Sequence, residues 1–149
     1  MSTKKQLYQQ LQQQIDQRVS NAQKAMKAAE DSKNNETKSS AGDKFETSRA
    51  MMQGEEERNK IQLGKALDLQ RQLAQIDIHK TSKIVVLGSL VSTNQGTYFL
   101  SLGFGKIDLK GTTYFAISLA SPIGQLLFGK SENEAINFRG KPILIEKIR

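Results

Sequence analysis

Two carboxylates three positions apart, Asp43 and Glu46, are the residues of this chain whose type and spacing could do chemistry. At the start of a helix that spacing places both acids on one face, close enough to share a cation. It is also the spacing of a capping box, in which the two side chains satisfy free backbone N–H groups. Spacing alone leaves both readings open. The pair stands in Ser40-Ala-Gly-Asp-Lys-Phe-Glu-Thr47, where one long helical stretch gives way to another. If those stretches pair antiparallel, the acids sit at the tip of a hairpin, from which a group can be pushed into a partner.

Other chemistries are excluded by composition. The 149 residues contain no cysteine, which removes disulfides, thiolate metal sites and cysteine nucleophiles and fits a reducing cytoplasm. The only histidine is His79, so a histidine-based triad or a multi-histidine zinc site is not available. No apolar run approaches the ~20 residues of a membrane span, and the N-terminus does not resemble a signal peptide. A cytoplasmic protein with no membrane partner is expected. Net charge is +7 and unevenly placed. Residues 1–78 carry 13 Lys/Arg against 11 Asp/Glu, and residues 79–149 carry 9 against 4. The basic second half suits an acidic partner surface or nucleic acid, or serves solubility alone.

The elements that must position the acids follow from periodicity. Residues 4–31 lack Gly and Pro and place Leu7, Leu11, Ile15, Val19, Ala22, Met26 and Ala29 three or four apart, one narrow stripe suited to a single partner helix. Residues 32–42 have loop composition. A second helix is expected from about Asp43 to Ile76, with its stripe clearest at Ala66, Leu69, Leu73 and Ile76. Gly54 and Gly64 each cost it about 1 kcal/mol, so it needs a partner to persist. Pairing the two stretches gives a coiled-coil hairpin over residues 1–78, its tip at about 32–46 and its shorter arm reaching ~40 Å.

After Ile78 the period becomes strand-like. Strands are expected at 83–87, continuing through Ser89-Leu-Val-Ser92, and at 97–102, 106–109, 112–119, 135–138 and 142–148, with turns at Asn94–Gly96, Lys110-Gly111 and Arg139-Gly140-Lys141. Ser121-Pro122 reads as a helix start and Gly129 as the stop of a short helix. Residues 79–149 thus form a small antiparallel-rich sheet with one short helix, and the whole chain is α+β.

Two segments resemble a known family. Ser121-Pro-Ile-Gly-Gln-Leu-Leu-Phe-Gly-Lys130 is similar to the Ser-Pro-(Ile/Leu)-(Gly/Ala)-x-(Ala/Leu)-(Leu/Ile)-x-Gly-Lys segment in the C-terminal domain of bacterial Gre transcript-cleavage factors, and Ile145-Glu-Lys-Ile148 resembles their final strand. Gly42-Asp-Lys-Phe-Glu46 resembles the Gly-Asp-x-x-Glu at the tip of their N-terminal coiled-coil hairpin. The resemblance implies an FKBP-like second domain and a monomeric transcription elongation factor. Such a factor lodges its hairpin in the secondary channel of RNA polymerase, its C-terminal domain docked at the channel mouth. Asp43 and Glu46 would then be the catalytic pair, helping to hold a Mg²⁺ completed by the polymerase while a positioned water hydrolyses the backtracked RNA at its 3′ end. The factor itself would be an accessory and not an enzyme, with no cofactor bound alone.

The same resemblance nominates Lys38, Lys44, Phe45 and Arg49 as contacts to RNA or channel wall, and Ser121, Pro122, Gly129 and Lys130 as polymerase-docking residues. Each has a simpler reading: the basic residues as solvated surface, Phe45 as a hydrophobic closure of the tip. Leu126, Leu127 and Phe128 are expected to divide between core and contact surface. The chain departs from the family after Glu46. The family continues Glu-Asn-Ala-(Glu/Asp)-Tyr, whereas this chain has Glu46-Thr-Ser-Arg49-Ala50, a base where a third acid stands. That departure supports an alternative, a Gre-fold factor that binds the channel without stimulating cleavage and inhibits or modulates transcription.

Overall fold

The computed structural model describes residues 2–38 and 42–149, except for the side chains of residues 33, 35–38, 42–49 and 52. Nine elements follow in order: α1 (Thr3–Lys38), α2 (Gly42–Ala74), β1 (Leu90–Thr93), β2 (Gly96–Leu100), β3 (Gly105–Leu109), β4 (Thr112–Ile117), α3 (Pro122–Leu127), β5 (Ala135–Phe138) and β6 (Lys141–Ile148). The architecture is α+β. The chain divides into two compact units, Gln13–Gln70 and the combination of Met1–Gln12 with Arg71–Arg149.

The unit Gln13–Gln70 consists of the two long helices running antiparallel. Gln70 Nε2 donates to Asp16 Oδ1 at 2.9 Å and Asn59 Nδ2 donates to the Ala25 carbonyl at 3.3 Å. Numbers climb on one arm as they fall on the other, which is the signature of antiparallel pairing. The expected stripe is the buried one: Ile15, Val19, Ala22 and Ala29 on α1 and Ala66 on α2 are all withdrawn from solvent. Beyond Ala22 the buried position on α1 is Ala29, with Met26 only half-buried, so the seam there buries less apolar area per turn than at Ile15.

Helix α1 continues through residues 32–38, where loop composition led us to expect a turn. Ser, Asn, Thr and Lys are weaker helix formers than Ala, but none breaks a helix, and extending an existing one avoids the nucleation cost.

In the other unit, the sheet has the order β3-β4-β2-β1-β6-β5. All its neighbours are antiparallel except β2 and β4, which pair in parallel with Tyr98 opposite Phe115 and Phe99 opposite Ala116. The expected turns at 110–111 and 139–140 are two-residue hairpin loops. Lys110 and Gly111 take φ of 50° and 80°, and Arg139 and Gly140 take 53° and 81°, the paired positive values of a type I′ turn.

One face of the sheet carries a closed core of Val91, Leu100, Ile136, Ile143 and Ile145 with Ile123 and Leu127 of α3 and the preceding Val85. On the opposite face Leu90, Phe99, Ile107 and Ala116 are buried. The first turns of α1 are tied to this sheet: Gln10 Nε2 donates to the Asp108 carbonyl at 2.9 Å, and Lys4 Nζ donates to the carbonyls of Lys80 and Arg149. Lys4, Leu7 and Leu11, which share one helix face, are all buried.

Residues 83–87 are not a strand, contrary to expectation. Only Ile84 forms a bridge, to Ser131. Val85 donates to the Lys130 carbonyl and accepts from Gly129 N–H, both at 2.9 Å, while Val86 N–H goes to Ser89 Oγ. The β-branched run therefore serves as a strap across the end of α3.

Candidate functional site

Asp43 and Glu46 lie in the opening turns of α2, and Lys44, Phe45 and Arg49 lie on the same helix. Lys38 is the last residue of α1. The side chains of all six fall outside the described residues. What the structure supplies is their support, a pair of helices whose antiparallel register leads to this segment. Among the described residues no group of three or more acidic, histidine or cysteine side chains could hold a metal ion.

The second predicted segment, Ser121 to Lys130, is fully described. Ser121 is the N-cap of α3 in extended conformation, with Pro122 following at the first helical position. Its Oγ accepts from Gly124 N–H at 3.1 Å and donates to the Ser118 carbonyl at 2.7 Å, so one hydroxyl caps the helix and fixes the end of the preceding strand. Gly124 is required by close approach: a Cβ there would meet the Ser118 carbonyl oxygen at 2.1 Å. Gln125 Nε2 adds a bond to the Ala120 carbonyl at 3.0 Å. Gly129 ends the helix at φ of 79°, and Lys130 N–H returns to the Leu127 carbonyl at 3.0 Å. The motif is thus a rigid helical turn locked at both ends, with Pro122 and Lys130 exposed.

This locked turn sorts its apolar residues. Leu127 is fully buried, whereas Phe128 is 52% exposed and Leu126 38%. Ile84 and Leu87 of the strap, also exposed, are held beside the same turn by the Val85 hydrogen bonds. Four large apolar side chains are therefore presented by two joined segments. Single exposed apolar residues are ordinary, and these four are the candidate contact residues of this unit. Sequence reasoning missed Ile84 and Leu87 because their run reads as a strand. The signal that could have found them is the absence of alternation in Lys83-Ile-Val-Val-Leu87, which leaves no polar face for solvent. Of the residues nominated for docking, Ser121 and Gly129 fix the two ends of the turn, while Pro122 and Lys130 are exposed.

No described helix is long and apolar enough to cross a membrane. No protein-family model matches the chain. No curated protein matches it either. Among solved structures, that of the transcription factor Gfh1 is similar at 18% sequence identity and a TM-score of 0.35, the likeness covering 95% of this chain and 92% of the other.

Proposed function

We propose that this chain is a transcription elongation factor of the Gre type that enters the secondary channel of RNA polymerase and stimulates hydrolysis of backtracked RNA. The observation that carries the reading is the antiparallel helical pair converging on the segment with Asp43 and Glu46, in a chain whose second unit holds a capped Ser121–Lys130 turn. In this reading the hairpin delivers the acids and the apolar group around Phe128 docks on the polymerase.

Asp43 and Glu46 are the residues that would hold part of a Mg²⁺ site. Two hard oxygen donors about one helical turn apart suit that ion, which keeps several positions for water and phosphate oxygens. Two carboxylates do not complete the coordination, so the polymerase supplies the remainder. Held there, such an ion would supply stabilisation of charge on the oxygens of the phosphodiester being cleaved. The chain contributes position and two negative charges. It is an accessory to the polymerase's own reaction.

The deciding experiment compares wild type with the double variant Asp43→Ala/Glu46→Ala on stalled, backtracked elongation complexes. Wild type should accelerate release of the RNA 3′ fragment, and the double variant should bind the polymerase without doing so. Cleavage unchanged in the double variant sinks the catalytic tip. A second reading, binding without cleavage, is favoured by one specific residue: Arg49, three positions after Glu46, puts a base where the resembled family carries a third acid. Inhibition of elongation by wild type with no cleavage would establish that alternative.

A further inference from the structure

The paired helices change character along their length. Two bonds set their register, Asp16 with Gln70 and Ala25 with Asn59. In that register Ala66 stands level with Val19 and Leu63 with Ala22, so these layers are apolar on both arms. The next two layers set Asn59 level with Met26 and Glu56 level with Ala29, each joining an apolar residue to a polar one. Burial follows the same division. Val19 and Ala66 are withdrawn from solvent, whereas among the described side chains of residues 50–65 of α2 none is buried.

Polar contacts join the arms in the two outer layers. Asn59 Nδ2 reaches the Ala25 carbonyl at 3.3 Å, and Glu56 has a partner as well. An open groove of about 460 Å³, lined by Ala25, Ala28, Ala29 and Ser32 with Glu55 and Arg58, gives water access to this stretch. A polar residue in a helical seam costs stability, and a contact that water reaches adds little, because water replaces the partner. The helix itself is weak here too. Gly54 and Gly64 lower its preference for the helical state, and packing demands neither. A Cβ would meet only Arg58 Nη1, at 3.6 Å, from Gly54, and nothing within 4 Å from Gly64. A helical stretch with so little packing is marginal in water.

We infer that the helix pair is a two-part device: beyond the layer of Ala22 and Leu63 its arms part and rejoin as one cooperative unit, while the apolar layers from Ile15 to Ala22 stay shut. Local opening costs only the contacts that it breaks, and among the described residues those are the two mixed layers. Asn59 and Glu56 act as its latch, where an apolar pair would make a fixed rod. Because α2 carries Asp43 and Glu46 on the far side of this stretch, the closed fraction sets how often those acids are held on joined arms.

Native-state hydrogen exchange of the free full chain, followed amide by amide, tests this. Amides of residues 24–32 and 50–60 should share one opening constant and be protected about 100-fold less than those of residues 15–22 and 65–70. Glu56→Leu/Asn59→Leu makes both mixed layers apolar and should raise protection on both outer arms about tenfold, with the inner layers unchanged. Ala29→Asp sets a like charge level with Glu56. It should lower protection of residues 50–60 about tenfold, although the change is on the other helix. Equal protection along both arms would overturn the device, and so would values graded residue by residue from the far end, which is fraying. A response to Ala29→Asp confined to α1, or protection indifferent to the double variant, would also overturn it. No polymerase is present, so the result is independent of the hairpin's proposed role.

Discussion

Lys4 Nζ donates to the main-chain carbonyl of Arg149 at 3.2 Å, joining the first turn of the first helix to the end of the last strand across 145 positions of sequence. A second bond from the same ammonium reaches the Lys80 carbonyl at 3.3 Å. Lys4 is only 7% exposed. Its stem therefore fills space in the core as its charge satisfies two carbonyls.

Replacing Lys4 by Ala removes the ammonium from the Lys80 carbonyl and leaves the Arg149 oxygen with the Leu90 N–H alone, and should destabilise the fold by about 1–3 kcal/mol. Urea denaturation of the two proteins checks this. Burial lowers the pKa of Lys4 below its ordinary 10.5, against an opposing pull from Asp77. A base whose folded pKa lies below its unfolded one binds its proton less tightly in the folded state. The protein should therefore gain stability as pH rises from the folded pKa towards 10.5. The wild-type minus Lys4→Met difference in Tm, followed through that window, isolates this contribution from the other lysines.

The turn at 121–130 should be the most substitution-sensitive part of the second unit. Gly124→Ala drives a Cβ into the Ser118 carbonyl, a backbone clash that should cost about 3 kcal/mol or more. Ser121→Ala removes only the cap and should cost about 1 kcal/mol. Thermal melts of the two variants test the order as well as the size.

Gly64 gives the opposite sign. It lies within α2, and a Cβ there would meet nothing within 4 Å. Gly64→Ala should stabilise the chain by about 0.5–1 kcal/mol through the ordinary helix preference for alanine. A fall in Tm would show that this stretch of α2 is required to bend or to approach a partner closely.

Phe128→Ser should weaken binding to RNA polymerase by about 10- to 30-fold, as for an aromatic anchor at an interface, with no drop in Tm. Affinity capture of core polymerase checks the first part and a melt the second. Unchanged binding would remove the apolar group around the turn from the docking surface.

At the hairpin end, Arg49→Glu restores an acid about one turn beyond Glu46. If the wild type binds without cleaving, this variant should gain transcript cleavage, and if the wild type already cleaves, its rate should rise. The backtracked-complex assay reads both.

Much of the architecture is written in local signals. The stripe Ile15–Val19–Ala22, the Ser121 cap and the left-handed glycines at 111, 129 and 140 act through neighbours in sequence, and all occur where their residue types require. What could not be read depends on distant partners. Residues 83–87 have strand composition, but their hydrogen bonds are made with Gly129, Lys130 and Ser89, and this choice turns them into a strap. The parallel pairing of β2 with β4 is likewise invisible in either strand alone. For the candidate site, type and spacing nominate Asp43 and Glu46 but do not separate cap from ligand, since both demand the same two acids, and their side chains lie outside the described residues. At the turn, the motif was legible and the exposure of Phe128 was not, because Leu126, Leu127 and Phe128 differ only in where the locked helix points them.

The antiparallel register of the arms, fixed by Asp16 with Gln70 and Ala25 with Asn59, also governs how this hairpin can change length. An insertion in one arm alone rotates its stripe off the seam. Removing seven residues from each arm beyond Ala25 and Asn59 keeps both stripes in phase and shortens the hairpin by about 10 Å. The arms therefore behave as a ruler graduated in heptads, along which Asp43 and Glu46 can be set to a new depth without redesign of anything behind them.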